Sequence, residues 1–309
     1  MQLRASYSGN TQASQACVGG PIPLARLFIM TGLVMEGGAM RGMFTAGVCD
    51  VLMEHGITFD GAIGVSAGVT FGCNYKSHQI GRVIRYNKRF ARNWRYCSLR
   101  SLFLTGDLYG ADFCYVKIPE KLDPFDYETY RNDPMRFYAV VSDCMTGEPI
   151  YKELKTGDRN DLEWMRASAS MPLVSKPVKI DGYTLLDGGM TDSIPLAKFQ
   201  EMGYQKNIVI LTQPKDFVKE PDSLIKLMRL SLRKYPKLLA KMEDRHIAYN
   251  KQHEYAIQQE KEGNAIVLCP EKPLGISRVE HNPDELQRCY DAGRAVCQKR
   301  LEEIRSFIS

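Results

Sequence analysis

The sequence holds no apolar run of the roughly 18 residues that a membrane-spanning helix needs. Its best stretch, Pro21 to Met35, is broken by Arg26, and the polar residues before it make a poor secretory signal. No cysteine pair shows C-x-x-C spacing, and the total of nine is odd. Neither a disulfide framework nor a zinc site is expected, and a reducing, cytoplasmic setting is the expectation. The five histidines form no H-E-x-x-H or similar pair, so no metal and no cofactor are anticipated. No internal repeat and no low-complexity tract marks the part expected to fold.

What is present suits a globular protein. The 309 residues are 44% hydrophobic and 25% charged, enough for one large α/β domain or for a domain of about 200 residues with an appended piece. The formal net charge of +5 is too mild to define a partner. Residues 1–29 are rich in Ser, Gln, Gly and Asn without periodicity. They read as a disordered extension, with Met30 a second candidate start.

Leu33 to Met35 reads as a buried strand entering a tight turn at Glu36-Gly37-Gly38. Met43 to His55 has helical apolar spacing stopped by Gly56. Ala62 to Val65 is a second buried strand, and Ala67 to Tyr75 a helix. Strand, helix, strand, helix at this spacing makes a βαβ unit with a parallel sheet. Further on, the pattern predicts a helix over Arg82 to Tyr96 and strands over Phe137 to Val141 and Pro149 to Leu154. A short helix over Leu162 to Ala169 precedes a hairpin turning at Asp181-Gly182. A strand over Asn207 to Thr212 closes a catalytic domain of residues 30–214. Residues 215–309 read as a mostly helical C-terminal region packed on it: two basic helices, a strand at Ala265 to Leu268, and a last helix from Pro283 to Ile308.

Two glycine-rich turns carry chemical signals. Gly64-Val65-Ser66-Ala67-Gly68 is G-x-S-x-G between a strand and a helix. This sharp turn holds a serine strained and exposed, with Gly64 and Gly68 avoiding clashes at the elbow. Its bland reading is a glycine turn with a capping serine. Gly37-Gly38-Ala39-Met40-Arg41-Gly42 follows the first strand and opens the first helix, so its backbone N–H groups suit an anion. The turn serves either as a phosphate cradle or as an oxyanion hole. The second strand ends in the serine elbow instead of a nucleotide-binding acid, which favours the oxyanion reading. Asp187-Gly188-Gly189 closes a later strand; an ordinary β-turn aspartate is the plain alternative.

Together these segments resemble the patatin-like phospholipase family. Four match in order over about residues 32–200: the Gly37–Gly42 turn, the Ser66 elbow, Ala167-Ser168-Ala169-Ser170-Met171-Pro172, and Asp187-Gly188-Gly189. The resemblance implies a three-layer α/β/α fold with a mainly parallel sheet. It also implies lipid ester hydrolysis by a Ser66–Asp187 dyad, without cofactor. The amides around Gly38, Ala39 and Met40 would form the oxyanion hole, Arg41 would support that loop, and Gly188 and Gly189 would let substrate approach Asp187. Two departures stand out: Ala39 replaces the loop's third glycine, and Asp192-Ser193-Ile194-Pro195 replaces the family's Asn-Pro pair.

The implied chemistry is acyl transfer through an acyl-enzyme, with burial raising the basicity of Asp187. One rival is an α/β-hydrolase triad completed by His246, His253 or His281. Another is a lipid-binding or regulatory module without turnover. From Gly61 to Gly106 the chain has no Asp or Glu, and Arg82, Arg85, Arg89 and Arg92 fall on one helical face. This face reads either as a solvated cationic helix, as one paired with distant acids, or, with the basic stretch from Lys226 to Arg245, as peripheral contact with an anionic membrane surface. The apolar residues of that stretch read equally as packing the tail on the catalytic domain. No recognition motif points to nucleic acid.

Overall fold

The computed structural model describes residues 29–309. The extension anticipated at the N-terminus lies, up to residue 28, outside the described residues. Among the described residues, eight strands form one sheet: β1 (Met30–Met35), β2 (Gly61–Val65), β3 (Arg136–Asp143), β4 (Pro149–Glu153), β5 (Val178–Ile180), β6 (Tyr183–Asp187), β7 (Tyr204–Ile210) and β8 (Ala265–Leu268). The strands β8, β7, β1, β2 and β3 lie side by side, and all are parallel. β4 and β6 pair with β3 antiparallel, and β5 pairs with β6 through the anticipated hairpin, whose Asp181 and Gly182 have φ of 50° and 82°.

Besides a π-helix over Phe113–Leu122 and two short 3-10 turns, twelve α-helices among the described residues surround the sheet: α1 (Gly42–Glu54), α2 (Ala67–Lys76), α3 (Arg82–Phe90), α4 (Leu99–Thr105), α5 (Tyr127–Asn132), α6 (Arg159–Ser168), α7 (Leu196–Glu201), α8 (Ile225–Ser231), α9 (Pro236–Glu243), α10 (Arg245–Lys261), α11 (Pro283–Lys299) and α12 (Leu301–Ile308). Successive strand side chains point to opposite faces, so each face needs its own cover. Leu33 and Met35 of β1 join the apolar residues of α1, α2 and α11 on one face. Val34 packs on the other with Phe199 of α7 and Tyr249 and Ala256 of α10. The result is the three-layer α/β/α fold with a mainly parallel sheet.

Residue 214 is not a boundary in this architecture. β8 extends the sheet beside β7, and α11 lies along α1. Asp50 on α1 accepts hydrogen bonds from the Tyr290 hydroxyl (2.6 Å) and the Gly81 amide (2.9 Å), and Arg294 pairs with Glu54 through two 2.8 Å bonds. Residues 215–309 thus complete the sheet and its core.

The basic helix differs from the expectation. α3 ends at Phe90: the Asn93 amide closes a turn on the Phe90 carbonyl (2.8 Å), and the Asn93 side chain then accepts the Arg95 amide (3.0 Å), which competes with helix continuation. Its arginines are largely used internally. Arg82 is buried, bonded to Asn74 and to the Asp123 carbonyl, and Arg85 forks onto the Asp123 carboxylate. Arg89 donates to the Leu122 carbonyl. For Arg82, Arg85 and Arg89 the reading as a helix paired with distant groups is the one observed: the acids missing from 61–106 are supplied by Asp123 and Asp133, together with the carbonyls of 122–135. The basic tail is likewise partly a packing element. Met228, Leu232, Leu238 and Met242 are buried against Cys144, Leu186 and Met190, each contributing about 1.5–3 kcal/mol of apolar burial.

Candidate active site

The register places Ser66 and Asp187 together. Val140 of β3 is paired on its two edges with Val65 and Tyr151, and Val141 with Asp187 and Ile150. Since Ile150 and Tyr151 share one edge, β2 and β6 share the other. They run toward each other along β3 and stop end to end. Val65, the last residue of β2, thus sits one step from Asp187, the last of β6. The Asp187 end is fixed by its own amide to the Ser170 carbonyl (2.9 Å) and by the Ser142 hydroxyl, which donates to the Asp187 carbonyl (2.7 Å).

Ser66 leaves β2 with φ 54° and ψ −120°, a strained conformation for a residue with a side chain. The hydroxyl of Ser168, the last residue of α6, secures it. The Ser66 amide donates to Ser168 Oγ (2.9 Å), which donates in turn to the Val140 carbonyl (2.6 Å). The flanking glycines are required by space: a Cβ on Gly68 would lie 2.3 Å from the Met35 carbonyl oxygen, and one on Gly64 would lie 2.6 Å from the Val69 nitrogen.

Asp187 is buried, and burial pushes its carboxyl up to about 6. The Ser66 hydroxyl, the Gly189 amide and the Arg245 charge pull the other way. The Gly189 amide bonds Asp187 Oδ1 at 2.7 Å, and Arg245 Nε donates to the Gly189 carbonyl. Gly188 packs against the Val140 backbone.

The glycine-rich turn divides in two. Gly37, Gly38, Ala39 and Arg41 line the cleft that holds Ser66 and Asp187. Met40 is buried in the core, and Gly42 fits against Phe71 and Ala67; neither lines the cleft. Ala39 takes up the left-handed conformation (φ 50°) despite its side chain. The amides of Gly38 and Ala39 have no acceptor among the described residues, which leaves them available to an oxyanion. Asp192 turns away. Its carboxylate accepts the Tyr151 hydroxyl (2.8 Å), and burial pushes it up to about 6.

Among the described residues, no histidine lines the cleft. His253 is buried beside the Tyr249 ring, and His281 Nδ1 bonds to the Ala91 carbonyl (2.6 Å). The sequence-based triad is thus not assembled.

Several residues of the cleft had no sequence signal. Glu36 is buried at the end of β1. It accepts the Tyr249 hydroxyl (2.7 Å) and the Thr212 amide (2.6 Å), tying the glycine turn to β7 and α10. Phe217, Lys219, Arg245, Tyr249 and Arg278 reach the cleft from beyond residue 214.

Fold and site together define a three-layer α/β protein with a serine elbow facing an open amide turn. The chain belongs to the patatin-like phospholipase family, whose model matches residues 33–199. A second model, described as a domain of unknown function (DUF6363), matches residues 235–309. Among curated relatives, the uncharacterized protein YjjU of Escherichia coli K12 is 25% identical over 280 residues, covering 85% of this chain and 74% of its own. Lysophospholipase NTE1 of Scheffersomyces stipitis is 27% identical over 186 residues, 58% of this chain but 11% of its own length. The uncharacterized NTE family protein Rv1063c of Mycobacterium tuberculosis is 24% identical over 53% of this chain and 44% of its own. Among solved structures, VipD from Legionella pneumophila matches with a TM-score of 0.45 at 14% identity, covering 89% of this chain and 67% of its own.

Proposed function

We propose that this protein hydrolyses carboxylic esters of lipids through a Ser66–Asp187 dyad. The observation that carries the reading is the end-to-end meeting of β2 and β6 on one edge of β3. It brings a strained serine and a buried, basic carboxylate into one cleft. Asp187, ionised above about pH 6, accepts the Ser66 proton as Oγ attacks the ester carbonyl. The Gly38 and Ala39 amides receive the oxyanion. The proton passes from Asp187 to the leaving alcohol, and water then attacks the acyl-enzyme with the same carboxylate as base. These steps call on no metal or cofactor. Family membership and the lysophospholipase relatives support lipid esters as the substrate class.

Contact with an anionic lipid surface is also part of the proposal, at a different place from the Arg82 face. Leu99, Phe103 and Leu104 of α4 are exposed, Phe103 to 90%; Arg95 and Arg100 lie over the Trp94 ring, and neither they nor the exposed Arg92 has a carboxylate partner among the described residues. Tyr109, just beyond α4, bonds the Arg278 carbonyl at the rim of the cleft. Apolar side chains ringed by cations suit anionic headgroups. No helix among the described residues is long and apolar enough to cross a membrane.

The dyad is tested with a fluorophosphonate label and a lipid ester panel on wild type and Ser66→Ala. The variant loses both labelling and turnover. Near-wild-type turnover by Ser66→Ala would falsify the nucleophile assignment, whereas a folded wild type that neither labels nor turns over any ester would leave the non-catalytic lipid-binding module as the better reading.

A further inference from the structure

Four cations converge on the cleft beside Ser66: Arg41 from the glycine turn, and Lys219, Arg245 and Arg278 from beyond residue 214. None of the four forms an ion pair among the described residues. Arg41 Nε is buried with no hydrogen-bond partner there. The Lys219 ammonium lies over the Tyr249 ring, 5.2 Å from its centre, and meets no carboxylate among the described residues. Arg245 spends one N–H on the Gly189 carbonyl. The two carboxylates in the cleft are otherwise engaged: Glu36 holds Tyr249 and Thr212, and Asp187 faces Ser66. A hidden acidic partner is excluded on composition, since residues 1–29 contain no Asp or Glu.

Like charges gathered without a counter-ion repel one another, and folded chains ordinarily relieve this with a carboxylate. Here no carboxylate pairs directly with any of the four among the described residues: Asp222 acts on Lys219, and Asp187, Asp222 and Glu36 on Arg245, only at longer range. Lys219 registers the strain: burial, then the Arg245, Arg278 and Arg41 charges, bring its ammonium down to about 8 against a smaller opposing pull from Asp222. An anion of the substrate supplies what the chain lacks. A single carboxylate occupies one guanidinium fork. A phosphate presents several oxygens in several directions, which matches cations arriving from separate segments of the chain.

We infer that Lys219, Arg245 and Arg278, with Arg41, form a phosphate-binding subsite of the active-site cleft. It would hold the phosphate of a glycerophosphate-headed lipid ester while the acyl ester lies at Ser66. The inference deepens the Ser66–Asp187 reading and rests on it for the orientation of the ester. It also gives the C-terminal region a role in recognition. The catalytic half of the cleft comes from residues before 200, and most of the phosphate-binding half comes from after 214.

The experiment uses the full chain with Lys219→Gln, Arg278→Gln, the double variant, and Lys219→Arg, each checked for folding by circular dichroism. Two esters with the same short acyl chain are compared, a monoacyl glycerophosphate and a monoacylglycerol. Wild type favours the phosphorylated ester in kcat/KM. That preference falls about tenfold for each cation removed, as for loss of one charged hydrogen bond, and Lys219→Arg restores most of it. Calorimetric titration with glycerol 3-phosphate, inorganic phosphate and hexanoate gives an arm independent of turnover. Glycerol 3-phosphate binds wild type and binds the double variant at least tenfold more weakly, and hexanoate binds neither. An unchanged substrate preference with unchanged glycerol 3-phosphate binding in the double variant overturns the subsite. Inorganic phosphate binding as tightly as glycerol 3-phosphate, with no substrate preference, makes the site one for free phosphate and overturns the lipid assignment. Should neither ester be cleaved, the titration still decides the subsite while the dyad reading falls separately.

Discussion

Replacing Asp187 by Asn should abolish turnover and yet stabilise the fold at neutral pH. Burial raises the carboxyl from its ordinary 3.8 to about 6, after the Ser66, Gly189 and Arg245 contributions have been counted. That rise corresponds to about 3 kcal/mol by which folding disfavours the charged form. The native state therefore binds more protons than the unfolded chain between about pH 4 and pH 6. Stability falls as the pH rises through that window and stays lower above it. Asparagine keeps the shape and an acceptor for the Gly189 amide but carries no charge. At pH 7.5 the Asp187→Asn protein should be more stable by up to about 3 kcal/mol, several degrees in Tm. The gap should close below about pH 4. Asp192, also pushed up to about 6, is present in both proteins and cancels from the difference. Thermal or urea unfolding of both proteins from pH 4 to 8 measures this directly. A variant that melts below wild type at pH 7.5, or a gap indifferent to pH, would refute the account of Asp187 as a carboxylate ionised against its surroundings.

Other outcomes follow from the same geometry. The kcat/KM of the wild type on an uncharged soluble ester should climb as pH rises through about 6 and then level. Asp192→Asn serves as the control that keeps this limb in place. Ser168→Ala removes the bridge between the Ser66 amide and the Val140 carbonyl. It should cost about 1–3 kcal/mol in urea unfolding and lower kcat more than it raises KM. In vesicle co-sedimentation, Phe103→Ser with Leu104→Ser should weaken attachment to anionic liposomes, and added salt should weaken it for the wild type. Arg82→Gln should lower the melting temperature and leave vesicle attachment as it was, because Arg82 is buried on Asp123 and Asn74.

Much of the scaffold is legible in the sequence where one period dominates. β1, α1, β2 and α2 follow from apolar runs punctuated by glycine, and the Asp181-Gly182 hairpin from its turn residues. Reading fails where local side chains compete with a pattern. α3 stops at Phe90 on account of the Asn93 turn, and the single helix expected beyond Pro283 breaks at Arg300 into α11 and α12. Charge is harder still. Along the chain the acid-free stretch from 61 to 106 reads equally as a free cationic face or as one paired with distant acids, and only the fold brings Asp123 and the carbonyls of 122–135 to it.

The site splits along the same line. Ser66, Asp187 and the Gly37–Ala39 turn are visible because their chemistry demands special backbone, and special backbone leaves glycine in the sequence. Ser168 and Glu36 do the positioning with ordinary residue types. Ser168 falls in the Ala167–Pro172 segment that carries the resemblance and Glu36 in the first tight turn, but what either residue holds in place has no signal until β3, β7 and α10 are folded around them. The cations beyond residue 214 are the extreme case: along the chain, Arg245 is one more member of the tail's basic helical stretch, and Lys219 and Arg278, outside any helix, carry no signal. Only the addition of β8 to the sheet edge beside β7, with α10 leading into it, carries that tail back across the mouth of the cleft. The placement of β8 is therefore a condition for the composition of the active site. A chain cut after residue 214 would lose Tyr249, which holds Glu36 below the glycine turn, and Arg245, which holds the Gly189 carbonyl beside Asp187.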